Sequence, residues 1–198
     1  MSILDDLVKH LDADTVGSIA GKLGIDPEKA KGAVASALPT IVGALAKNTQ
    51  SDAGAQKLGQ ALDKDHDGSL LDQLGAAAPS LADHGQKILA HVFGAKKQAA
   101  TDGVAQQSGL PVEDVTALLG TLAPIVMGVI GKKKKDEQLD AAGVASALQA
   151  DRSQAAAKSG GLLGMLDQDG DGDVGNDLMK QGTSLFGSLF GGGDKPAS

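Results

Sequence analysis

Apolar residues return every three or four positions through most of this chain, and no stretch alternates apolar and polar residues long enough to suggest a strand. The pattern predicts an all-α protein. Between Ala33 and Ala46 apolar side chains fall on nearly every turn and on more than one helical face, as expected of a helix buried on several sides. The longest apolar run, Ala117 to Gly131, includes Pro124 and falls short of the roughly 20 residues that a bilayer requires, so it predicts a buried helix. Leu139, Val144 and Leu148 share one side of a helix expected over 136–158, and further helical stretches are predicted over 53–62 and 76–82.

Shifting the chain on itself by 85 residues aligns Gly24-Ile25-Asp26-Pro27-Glu28 with Gly109-Leu110-Pro111-Val112-Glu113. The same shift carries Pro39, Gly43 and Lys47 onto Pro124, Gly128 and Lys132. This predicts an internal duplication. Each unit is expected to hold a helix, a Gly-apolar turn, a helix with Glu28 or Glu113 in its first turn, and an apolar helix opened or kinked by Pro39 or Pro124. The expected organisation is a first helical repeat over 1–95, a second over 96–190 and a disordered tail over 191–198. The two helical hairpins should form a shared centre.

Two segments stand out from the helical pattern. Asp63-Lys64-Asp65-His66-Asp67-Gly68-Ser69-Leu70 and Asp167-Gln168-Asp169-Gly170-Asp171-Gly172-Asp173-Val174 share the spacing Asp-x-Asp-x-Asp-Gly-x-apolar, the front half of an EF-hand-like calcium loop. Oxygens at positions 1, 3 and 5 can converge on one ion, glycine at position 6 permits the sharp turn, and position 7 offers a backbone carbonyl. The candidate ligands are therefore Asp63, Asp65, Asp67 and the Ser69 carbonyl in one loop, and Asp167, Asp169, Asp171 and the Asp173 carbonyl in the other. Position 12, a glutamate in a complete EF-hand, is Leu74 or Leu178 here, so Asp72 and Asp177 are the candidates to close the loops. With fewer bidentate ligands, dissociation constants of about 10⁻⁵ to 10⁻³ M are expected for Ca²⁺, and Mg²⁺ fits less well because it demands octahedral geometry.

Composition sharpens this picture. Residues 63–74 carry four Asp and one Lys (−3) and residues 167–178 five Asp (−5), together −8 against −7 for the 198-residue chain, which leaves the remainder at +1. The acidity is concentrated where a cation would relieve it. No cysteine is present, which excludes thiol catalysis and Cys-ligated metals, and three Phe with no Trp or Tyr leave the core to small aliphatic residues. An acidic chain without stacking aromatics is not expected to bind nucleic acid. Lys132 to Lys135 follow the apolar run and are expected to lie in water beyond a helix C-terminus, with no membrane-surface contact implied. The N-terminus lacks a secretory pattern, so cytoplasmic residence is the default expectation, with unconventional export as the alternative that would match weak calcium sites.

Of the four histidines, His66 falls at loop position 4 and is expected to face solvent, while His84 and His91, two turns apart on one helix, are about 10 Å from each other and too distant to share a metal. Met127, Met165 and Met179 are expected to fill gaps in the core. No nucleophile elbow, P-loop or dinucleotide fingerprint occurs, so an enzyme is not expected.

Taken with the Asp-x-Asp-x-Asp-Gly loops, several stretches carry a resemblance: Ser-Ile-Leu-Asp-Asp-Leu at 2–7, Gly-Ile-Asp-Pro-Glu-Lys-Ala at 24–30, Leu-Pro-Thr-Ile-Val-Gly-Ala-Leu-Ala at 38–46, Gly-Gln-Lys-Ile-Leu-Ala-His-Val-Phe-Gly at 85–94 and Leu-Ala-Pro-Ile-Val-Met-Gly at 122–128. Over about residues 1–180 the chain resembles the bacterial domain-of-unknown-function family 937, related to YidB-like proteins. The resemblance implies a compact all-helical fold in which such Asp loops are typical, and it brings no established activity. Two functional expectations follow: a non-enzymatic calcium-binding helical protein with structural or sensing ions, or a self-associating interaction module whose Asp loops are merely turns.

Overall fold

A computed structural model describes residues 2–66 and 78–158, with side chains described over 2–66 and 84–155. Among the described residues every regular element is a helix: α1 (Ile3–His10), α2 (Ala13–Leu23), α3 (Pro27–Asn48), α4 (Asp52–Asp65), α5 (Ala78–Phe93), a 3₁₀ turn (Gly94–Lys96), α6 (Lys97–Ser108), α7 (Val112–Asp136) and α8 (Ala141–Lys158). Residues 1–152 form one compact unit and 153–198 a second, of which only the last residues of α8 are described. The tail over 191–198, Met165 and Met179 lie outside the described residues.

Helices α1 to α4 begin where short polar side chains can satisfy free backbone donors. Ser2, Asp12, Asp26 and Ser51 accept hydrogen bonds from the N–H groups of Asp5, Thr15, Lys29 and Gly54. α2 and α6 end on Gly24 and Gly109, whose φ values of 69° and 66° lie in the left-handed region that glycine enters without steric cost. Between α7 and α8 the chain turns through Gln138, also at positive φ, and Asp140 then caps α8 through the N–H of Gly143 at 2.7 Å. The helix expected over 136–158 therefore starts only at Ala141, although Val144 and Leu148 are buried and Leu139 packs against the core.

α7 lies at the centre of the first unit. Helices α1 to α6 all pack on it, and Leu118 through Gly131 are buried without interruption. Its 25 residues make it long and apolar enough to cross a membrane by length and composition, but most of its apolar surface is covered by the other helices of the unit. Met127 is buried here as a core residue. Ile3 and Leu7 of α1, Ile41 and Val42 of α3, Leu62 of α4, Leu89 of α5 and Leu148 of α8 join it in one core, so α3 and α7 do share a centre.

Two expectations need correction. Pro39 and Pro124 do not open a helix: α3 and α7 run continuously through them. α3 is also less enclosed than its composition suggests. Ala30, Ala33, Val34, Ala37, Leu38, Ile41, Val42, Leu45 and Ala46 form a single buried stripe, while Lys31, Gly32 and Ala35 on the other side are exposed. Abundant alanine made both faces look apolar; alanine is small enough to be tolerated in water.

A proline has no N–H to give to the carbonyl four residues back. In α7 this deprives the Gly120 carbonyl of its usual helical donor, and α5 crosses at that place. Gly85 lies so close to the Gly120 carbonyl oxygen that a Cβ would collide with it. Beside this crossing, Gln86 donates to the Thr116 carbonyl at 2.8 Å and accepts from Lys97 at 2.6 Å, tying α5, α6 and α7 together.

Candidate functional site

The charged chemistry of the described chain gathers where α4 and α7 end. Ala55, Gly59 and Leu62 bury one side of α4, and a Cβ added at Gly59 would come within 3.2 Å of Ala141 Cβ, so the helix is held close against the start of α8. Asp63, Lys64 and Asp65 then project from its exposed last turn, and His66 caps it through its own N–H to the Leu62 carbonyl.

Of the predicted calcium ligands, Asp63 and Asp65 are described. Both are helical, and residues two apart on a helix do not face each other, so the two carboxylates do not converge in this conformation. Asp63 instead accepts a hydrogen bond from the ammonium of Lys134 on α7. Asp67, Ser69 and Asp72 lie outside the described residues, as do Asp167, Asp169, Asp171, Asp173 and Asp177. Among the described residues no three His, Asp or Glu side chains come together as a metal cluster.

The lysine run differs from its expected place in water. Lys133 is only 7% exposed and sits between Asp6 of α1 at 3.1 Å and Glu137 at 2.7 Å. Burial works against its charged form, but the hydrogen bonds to Glu137 and Asp6 outweigh that and hold the ammonium above its ordinary value of 10.5. Asp6 is the mirror case. Burial raises it, while the hydrogen bond and charge of Lys133, helped by Lys9, hold it below its ordinary value of 3.8. Lys132 pairs with Asp136 at 3.1 Å, so among the described residues Lys132, Lys133 and Lys134 have carboxylate partners. The run made sense as a helix C-terminal cation cluster; what the sequence does not reveal is that α1 and α4 bring carboxylates to it.

His66 also departs from expectation. It is 8% exposed rather than solvent-facing, and its ring meets that of His84 on α5 edge to face, with centroids 5.7 Å apart and planes at 64°. Burial, then the neighbouring His84, lowers its affinity for a proton, with Asp65 opposing. The pairing joins residues 18 apart, one just past the end of α4 and one on α5, which no local spacing signals. His91 points elsewhere, its Nδ1 lying 2.8 Å from the Lys87 carbonyl.

A buried carboxylate that sequence reasoning passed over completes the ends of the bundle. Asp151 of α8 is 1% exposed, and its Oδ2 accepts from the N–H groups of Ile3 at 2.6 Å and Leu4 at 3.2 Å. It therefore satisfies the first free donors of α1 from 148 positions away.

The chain belongs to a family of bacterial proteins of unknown function, DUF937, whose model matches residues 5–133. The matched span runs from α1 into the lysine cluster of α7 and takes in the first Asp loop but not the second. No curated protein and no solved structure matches the chain.

Proposed function

We propose that this protein is a non-enzymatic calcium binder in which two Asp loops each take one ion, by Asp63, Asp65, Asp67, the Ser69 carbonyl and Asp72 in the first and by Asp167, Asp169, Asp171, the Asp173 carbonyl and Asp177 in the second. The observation that carries this reading is the twice-repeated Asp-x-Asp-x-Asp-Gly spacing, within which essentially the whole net charge of the chain is concentrated. The Lys134 contact of Asp63 supports it from another side: a tethered ammonium already occupies the first carboxylate, as a weak stand-in for a cation. On this proposal calcium draws Asp63 away from Lys134 and unwinds the end of α4 past Asp65, so that the carboxylates turn toward one ion. Binding to the folded chain alone would stabilise it, as a structural ion or as a sensor of calcium concentration.

The same proposal treats the molecule as a duplicated unit with EF-hand-like loops between its helices. Gly24 and Gly109 end their helices with the same left-handed turn, and Pro39 and Pro124 each stand twelve residues after the first residue of α3 and α7. Self-association through apolar helix faces has less in its favour, because Val8 and Val112 are the large apolar side chains exposed among the described residues. Calorimetric titration of the chelator-treated chain with Ca²⁺ tests the reading. Two saturable sites, one lost in Asp65→Ala and the other in Asp169→Ala, are expected; absence of saturable heat in the unmodified chain would refute it.

A further inference from the structure

We propose that His66 and His84 form a second kind of metal site, a two-histidine clamp for a divalent transition ion such as Zn²⁺ that joins the end of α4 to α5. Two imidazoles bound to one tetrahedral ion through metal–nitrogen bonds of about 2.0–2.1 Å place their ring centres roughly 5–6 Å apart. The observed separation of the ring centres, 5.7 Å, is within that range, and the 64° angle between the planes sets the rings across rather than flat upon each other. Neutral imidazole suits Zn²⁺, Co²⁺, Ni²⁺ and Cu²⁺, whereas Ca²⁺ takes hard oxygen donors, so this site and the Asp loops select different ions.

The two histidines also divide the work a metal site requires. His66 is held in place by burial, and His84 is exposed, which leaves an ion a route from solvent. Water would complete the coordination, as befits an open, exchangeable site rather than a closed structural one. Because α4 and α5 contribute one ligand each, an ion here cross-links two helices that are separate along the chain. The pair belongs to the conformation in which Lys134 holds Asp63, so the site requires no calcium.

The test is a Zn²⁺ titration of the full chain in Ca²⁺-free buffer, followed by the ring signals of its four histidines and by calorimetry. One Zn²⁺ per chain is expected to shift the His66 and His84 signals together, leaving those of His10 and His91 unmoved. His84→Gln, at an exposed position, should weaken Zn²⁺ at least tenfold, as should His66→Gln, while His91→Gln should keep full affinity. A response at His10 or His91 instead, no paired response, or undiminished affinity in His84→Gln would reduce the pair to an ordinary ring contact and overturn the site.

Discussion

α3 and α7 are written in nearly the same apolar pattern and carry a proline at the same place, yet one lies on the side of the bundle and the other runs through its middle. The carbonyls that the two prolines leave without a helical donor show the difference. In α3 that carbonyl belongs to Ala35, which is exposed and can turn to water. In α7 it belongs to Gly120, which is buried beneath Gly85 of α5. A helix's own composition says that it has apolar surface; the neighbours decide how much of that surface is enclosed.

The largest expected effect breaks the enclosed side of this comparison. Gly85→Ala would drive a methyl into the Gly120 carbonyl, a backbone atom that cannot swing aside, and should cost about 3 kcal/mol, the upper part of the usual range for overpacking. Gly43→Ala in α3 meets open space and should instead stabilise by up to about 1 kcal/mol through helix propensity. Urea unfolding of the two variants reads both signs; equal effects would dissolve the distinction between the helices.

Next in size is the buried cap. Asp151→Ala strands two N–H groups at the start of α1 and should cost about 1–3 kcal/mol in the same assay. Asp12→Ala, at an exposed cap of α2, should cost nearer 1 kcal/mol. A loss at Asp151 no greater than that at Asp12 would show that burial adds nothing to this cap.

The lysines sharpen the contrast within α7 itself. Lys133→Ala leaves Asp6 half-buried without its main partner and should cost about 1–3 kcal/mol. Lys132→Ala loses only an exposed pair and should change stability by less than about 0.5 kcal/mol. The same pair governs pH dependence. Asp6 is lowered in the folded chain, so its contribution is present above its ordinary value of 3.8 and disappears as pH falls through the lower folded value. Lys133 is raised, so its contribution is complete below 10.5 and is lost as pH rises through the higher folded value. Unfolding midpoints across pH 2 to 12 should therefore decline at both ends, and Asp6→Asn should flatten the acid limb; an unaltered acid limb would assign it to other carboxylates.

The sequence made legible whatever depends on near neighbours along the chain. Gly24 and Gly109 mark helix ends, and the unbroken run in α7 marks the core, because each acts within one or two turns of itself. Features that arise only when helices meet were hidden. Buried His66 meets His84 of α5, buried Lys133 pairs with Asp6 of α1, and Asp151 serves as a cap for a helix at the other end of the chain. The calcium ligands divide in the same way. Their spacing is plain in the sequence, whereas the Lys134 partner of Asp63 belongs to the packing of α4 beside α7.

The measurement that bears most directly on calcium binding is the melting temperature of the chelator-treated chain with and without 10 mM Ca²⁺. Even at a dissociation constant of about 10⁻³ M, mass action would add roughly 1.4 kcal/mol for each occupied site. For a chain of this size that is a rise of about 3 °C or more, reversed by chelator. A melting temperature indifferent to 10 mM Ca²⁺ would contradict the account and leave the Asp loops as turns.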